Sequence, residues 1–182
     1  IYRQKEATFI NLLEKVRTSK LSQADVDLLN SRYITNATAD RGVITLTTHN
    51  SKADKINHTH LEELTGKRMV FEGALKGDFN ERNLPVDKQL ALKLGAQVMF
   101  VKNDSSAEKR YFNGKMGVIT ALSEKGITVQ CVGDEETIEV SRETWTNIKY
   151  VHNQEDDAIA EEETGSYAQF PLKLAWAITI HK

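Results

Sequence analysis

From Phe170 to Ile180 the sequence passes through Leu172, Leu174, Ala175, Trp176, Ala177, Ile178 and Ile180 with little polar interruption. A strand buried on both faces of a parallel sheet reads this way, because neither face meets water. Far upstream, Val43-Ile44-Thr45-Leu46-Thr47 is β-branched and follows the turn pair Arg41-Gly42, so it too reads as a strand. Behind it, Ser51 and Asp54 show the spacing of a capping box. Ala53, Ile56, Asn57, Leu61 and Leu64 then keep helical spacing as far as Thr65-Gly66. Strand, loop and helix in that order are the signature of an α/β layer. The late apolar run is expected to rejoin the sheet begun at Val43–Thr47, with an insertion between them.

Two helices are expected before this unit. Phe9, Leu12, Leu13 and Val16 share one face of a helix over 6–18. Ser22 begins a second helix, with Asp25 three residues on to close a capping box and Val26, Leu28 and Leu29 on its apolar side. Beyond Met69 the character changes. Residues 73–90, with Gly73, Gly77 and Pro85, read as a loop. Gln97–Val101, Gly117–Leu122, Ile127–Val132 and Thr137–Val140 read as short strands, punctuated by Asn113-Gly114, Gly126 and Gly133-Asp134. Such spacing suggests a small antiparallel barrel, with Trp145–Val151 as its closing strand. Residues 153–163 read as an acidic linker.

Charge narrows the choice of partners. The net charge is −2 over 182 residues, so no basic coat covers the chain. Residues 1–60 hold nine Lys and Arg against six Asp and Glu, whereas 134–163 hold two against eleven. Phosphate binding follows local positive charge, so a nucleic acid should avoid the acidic stretch. No apolar run reaches the roughly 18 residues of a membrane helix. The one cysteine, Cys131, permits no internal disulfide and fits a reducing, cytoplasmic compartment; it reads as a small core hydrophobe. The start at Ile1 rather than Met reads as an excised piece.

Several chemistries find no residues. The Gly-Lys pairs at 66–67 and 114–115 lack the upstream glycine of a phosphate loop, and G-x-S-x-G, H-E-x-x-H and CxxC are absent. His58 and His60 stand two apart on the expected helix and point to different sides, so no metal site is expected.

Three segments carry a resemblance. Ile1-Tyr2-Arg3-Gln4 with Phe9-Ile10 and Leu12-Leu13 resembles the segment that opens the second RecA-like domain of RecD and Pif-type superfamily-one helicases. Leu46-Thr47-Thr48-His49-Asn50, followed by Ala53 and Ile56-Asn57, looks like the strand-then-Asn motif of that family. Gln169-Phe170-Pro171-Leu172-Lys173-Leu174-Ala175-Trp176-Ala177-Ile178-Thr179-Ile180-His181-Lys182 closely resembles its motif V. Leu92–Asn103, with Asn113-Gly114 and Gly117-Val118, is similar to the start of the family's SH3-like insertion.

The resemblance implies an α/β fold: a partial RecA-like (P-loop NTPase-like) parallel sheet with an inserted small antiparallel SH3-like β-barrel. It implies motor domain over 1–90, insertion over 91–153, and a linker with the return strand over 154–182. It implies an ATP-dependent DNA helicase that moves 5′ to 3′ on single-stranded DNA and unwinds duplex. ATP and Mg2+ would be bound in the intact parent, between this part and a first motor domain of the same chain, and the protein would act as a monomer. Arg3 would reach the γ-phosphate, where a permanently charged, forked guanidinium suits phosphoryl oxygens. Thr48, His49, Asn50, Thr179, His181 and Lys182 would hold the DNA strand, at a helix N-terminus and at the C-terminal end of a parallel strand. For Asn50 and Ser51, capping of the helix is an equal reading. Trp145 and Tyr111 read as core or rim residues that could stack on bases. A fragment without Walker A and B should be inactive alone. The alternative is an SH3-like module on an α/β platform that docks protein or nucleic acid without a motor; a stand-alone hydrolase has no nucleophile–base set behind it.

Overall fold

The computed structural model describes residues 6–35, 43–153 and 158–180. The chain divides into two compact units, residues 1–39 and 40–182.

The first unit holds helices α1 (Ala7–Arg17) and α2 (Gln23–Asn30). Leu12 is buried on α1, while Phe9, Leu13 and Val16 stay partly exposed. The expected capping box forms: Ser22 Oγ accepts from Asp25 N–H, and Asp25 Oδ2 accepts from Ser22 N–H at 2.8 Å. Lys15 reaches across to Asp25 at 2.7 Å. That ammonium, with the Ser22 donors, holds the Asp25 carboxyl at about 2.

In the second unit β1 (Thr45–Thr47) leads through Thr48 and His49 into α3 (Asn50–Glu63). β2 (Met69–Glu72) and β3 (Ala74–Gly77) follow, then β4 (Gln89–Leu92), β5 (Gln97–Phe100), β6 (Met116–Ser123), β7 (Gly126–Cys131), β8 (Thr137–Val140), β9 (Glu143–Asn153), β10 (Ala158–Gln169), β11 (Leu172–Leu174) and β12 (Ala177–Thr179). β1 and β12 pair in parallel, Thr45 opposite Ala177 and Thr47 opposite Thr179, so the late apolar run does return to the first strand. β11-β5-β6-β7-β8 form an antiparallel sheet, β3-β10-β9 a second, and β2-β4 a ribbon. One core joins the five-stranded sheet, the ribbon and α3 through Leu61, Phe71, Leu92, Phe100, Ile119 and Leu172. Cys131 lies in that core, and burial pushes its thiol up.

Five expectations are corrected. The stretch 73–90 is not all loop, because β3 and the start of β4 lie within it. Its glycine permits the pairing: Gly77 sits at φ +61°, and a Cβ there would stand 2.4 Å from Thr164 O. No closed barrel forms among the described residues; β11 and β8 are the edges of an open sheet. Trp145–Val151 pairs with β10 instead of closing that sheet. Residues 158–163, expected within an acidic linker, are strand. Their carboxylates stand exposed on a ribbon whose backbone hydrogen bonds need no apolar face. The run Phe170–Ile180 is two strands: β11 pairs with β5, the chain then changes sheets at Ala175, and only β12 joins β1.

Candidate nucleic-acid interface

The parallel pair ends at a cluster of small polar side chains. Thr47 is buried, and its hydroxyl lies 3.1 Å from His49 O and 3.4 Å from Ile178 O, which bends the chain from β1 into α3. Thr48 Oγ1 lies 2.8 Å from His49 Nδ1. Thr179 Oγ1 donates to Asn50 Oδ1 at 2.8 Å, which leaves the amide hydrogens of Asn50 to donate elsewhere. Thr48, His49 and Asn50 are exposed, and Thr179 is half-buried.

The capping expectation at Ser51 and Asp54 is corrected. His49 is the N-cap and no side chain caps α3. The N–H groups of Lys52 and Ala53 both bond His49 O. The amides of Asn50 and Ser51, ahead of them in the first turn, are the ones a helix leaves without intrahelical partners. The positive end of the helix dipole adds to them. The exposed Lys52 stands in the same turn. Such a set of donors suits an anion.

Thr48, His49, Asn50 and Thr179 therefore lie at the same end of the parallel pair. Arg3, His181 and Lys182 lie outside the described residues. Tyr111 is buried against Phe100, with centroids 4.1 Å apart, so it offers no face to a base. Burial and the nearby Glu143 carboxylate push its hydroxyl up. Trp145 stacks on Tyr167, with Lys102 Nζ 5.1 Å from its ring centre. His60 stacks on Trp176 and contacts Glu63. Among the described residues no group of three or more His, Cys, Asp or Glu could hold a metal ion, and no helix is long and apolar enough to cross a membrane.

Buried polar residues fix this corner, although the sequence marks Asn57 only as part of a helix and Gln97 only as the start of a strand. Asn57 bonds the backbone of Ala177. Gln97 Nε2 donates to Ala175 O at 2.9 Å and to Val43 O at 3.1 Å, tying β5 to the approaches of both parallel strands. At the opposite, C-terminal end of α3, Lys93 Nζ reaches Leu64 O and Glu62 O. The signal was a polar residue inside an apolar stripe, such as Asn57 between Ala53 and Leu61.

No family model matches the chain. It is 34% identical over 198 residues to the ATP-dependent DNA helicase PIF1 of Homo sapiens, a match that covers all of this chain and 28% of that protein. The structure of Bacteroides Pif1 in complex with ADP-AlF4 superposes with a TM-score of 0.89 at 38% identity, over 100% of this chain and 41% of that one. Bacteroides Pif1 bound to ssDNA gives 0.71 at 38% identity, over 98% and 40%. The fold is thus that of a helicase α/β domain. The chain belongs to the RecD and Pif family of superfamily-one helicases, and it spans well under half the length of the relatives it matches.

Proposed function

We propose that this chain is the second RecA-like motor segment of an ATP-dependent DNA helicase that translocates on single-stranded DNA and unwinds duplex. The observation that carries the reading is the Asn50–Thr179 pair at the common end of β1, β12 and α3. It sets side-chain donors beside free helix amides, where one phosphate of a strand would be held. A relative of this fold bound to ssDNA supports the choice of ligand. The motor platform takes 1–90 and 154–182, and an SH3-like insertion takes 91–153, with Leu172–Leu174 lending it a strand.

ATP and Mg2+ belong to the whole protein. The described residues offer no phosphate loop and no acidic cluster for the metal, so those ligands come from the first motor domain. The nucleotide would supply the phosphoryl group hydrolysed between the domains. This chain adds Arg3 toward the γ-phosphate, and its Thr48, His49, Asn50, Thr179, His181 and Lys182 hold the strand while the other domain moves. The protein works as a cytoplasmic monomer.

The test is strand displacement by the full-length protein with ATP and a tailed duplex, beside Asn50→Ala and Thr179→Val. The reading expects unwinding that needs ATP and falls in both variants. Residues 1–182 alone should neither hydrolyse ATP nor unwind. ATP hydrolysis by that piece would overturn its reading as one half of a two-domain ATP site, and a full-length protein that binds DNA without ATP-dependent unwinding would return the chain to the class of docking modules.

A further inference from the structure

We propose that Asn57 is a positioning residue for the strand-end contact, acting as a surrogate β-strand along the free edge of β12. The inference rests on the DNA-binding reading above. Toward β1, β12 uses Trp176 O, which accepts from Thr45 N at 2.8 Å, and Ile180 N, which donates to Thr47 O at 3.0 Å. Peptide groups alternate between the two edges of a strand, so Ala177 turns its own N–H and C=O away from β1. There both meet one carboxamide. Ala177 N–H donates to Asn57 Oδ1 at 2.8 Å, and Asn57 Nδ2 donates to Ala177 O at 2.9 Å. Nδ2 also lies 3.4 Å from Leu174 O. A primary amide carries the same acceptor and donor that a neighbouring strand would present, so both buried backbone groups are satisfied.

The pairing fixes register, which apolar packing cannot do. Asn50 and Asn57 stand seven residues apart, two turns of α3, and so share a face about 10.5 Å apart along the axis. Ala177 and Thr179 stand two apart on β12 and share an edge about 6.6 Å apart. With Ala177 pinned to Asn57, Thr179 arrives at Asn50 and donates to it. Ala53 and Leu61, buried on the same face, would tolerate a slip because apolar contact is non-directional. A one-residue slip would offer Asn57 a peptide group already committed to β1 and turn the Thr179 side chain to the other face.

A pH-dependent variant separates this role from simple loss of packing. Asn57→Asp keeps the shape. Its carboxylate accepts from Ala177 N–H but repels Ala177 O, whereas its protonated acid restores the donor. Burial raises the pKa of such an acid, so protonation falls within a usable range. Binding of a fluorescein-labelled oligothymidylate to the full-length protein is measured for wild type, Asn57→Asp and Asn57→Ala, with melting curves at each pH. Relative to wild type, Asn57→Asp should bind about tenfold more weakly near pH 8 and recover most of that near pH 5.5. Asn57→Ala should stay weak at both. Equal affinity of all three proteins, or a defect in Asn57→Asp that ignores pH while the variant stays folded, overturns the proposal. A variant unfolded at both pH values assigns Asn57 to the fold alone and also overturns it. If wild type itself fails to bind, the DNA-binding reading falls and this inference with it, a failure read on wild type alone.

Discussion

Thr179 donates its hydroxyl to Asn50 Oδ1 at 2.8 Å, across 129 positions of sequence. The bond joins the last residue of β12 to the first of α3, and both sit at the proposed phosphate position. Thr179→Val keeps the branched shape and removes the donor, so stability should fall by about 0.5–1.5 kcal/mol. Strand affinity should fall roughly three- to tenfold, since one hydrogen bond is worth about 1 kcal/mol. The double variant with Asn50→Ala should lose less than the sum of the singles, because both act on one contact. Fluorescence anisotropy on the full-length protein checks this, and strict additivity would separate the two residues.

At the other end of α3, Lys93 is buried with its Nζ 3.1 Å from Leu64 O and 3.4 Å from both Glu62 O and Glu62 Oε2. A cation there satisfies the last carbonyls and meets the negative end of the helix dipole. Lys93→Met preserves the apolar stem and strands those acceptors. The expected loss is about 1–3 kcal/mol, seen as a lower urea midpoint with unchanged slope. An unmoved midpoint would show that water replaces the ammonium without cost.

These two ends of α3 mark what could and could not be read from the sequence. Its apolar spacing from Ala53 to Leu61 exposed the helix, and β-branched Val43–Thr47 exposed the strand before it, because local pattern and tertiary role agree there. The return of Ala177–Thr179 to β1 was legible as an uninterrupted apolar run. The sheet change at Ala175 was not, since β11 and β12 carry one hydropathy pattern and are parted only by which edge each finds. β10 was hidden because Glu161, Glu162 and Glu163 look like solvated chain, although a ribbon wet on both faces accepts them. At the candidate site, Thr48, His49, Asn50 and Thr179 came from resemblance. Asn57 and Lys93 act through backbone atoms distant in sequence; a polar residue within the apolar stripe marks Asn57 as buried but does not name its partner.

Glycines divide into those the fold requires and those it tolerates. A Cβ on Gly165, beside the irregularity in the β9–β10 register, would stand 2.5 Å from the carbonyl carbon of Asp78 and 2.6 Å from its oxygen. Backbone cannot yield there, so Gly165→Ala should cost about 1–3 kcal/mol by overpacking. Gly66, just past α3, meets nothing within 4 Å. Gly66→Ala should be neutral or stabilise by about 0.4–1 kcal/mol through the unfolded chain. Thermal melts of both variants check the contrast, and equal shifts would refute the close approach at Gly165.

Asp104 organises the loop between β5 and β6, and it makes that loop sensitive to acid. Its carboxylate is buried and accepts from the backbone N–H groups of Ser106 and Arg110, each at 2.9 Å. Burial alone would raise this carboxyl, but the donors of Ser106 and Arg110 outweigh it and hold it at about 2. An unfolded aspartate titrates near 3.9, so the folded form is the stronger acid and the stabilisation is present above about pH 4. It is lost as pH falls from there through about 2. Asp104→Asn turns one acceptor into a donor facing an N–H, and should cost about 1–3 kcal/mol at neutral pH. The gap between the two proteins should narrow between about pH 4 and pH 2, since protonation removes from wild type what the substitution already removed. Urea midpoints measured across that range decide it: a gap that stays constant would place the cost of Asp104→Asn in packing rather than in the charge.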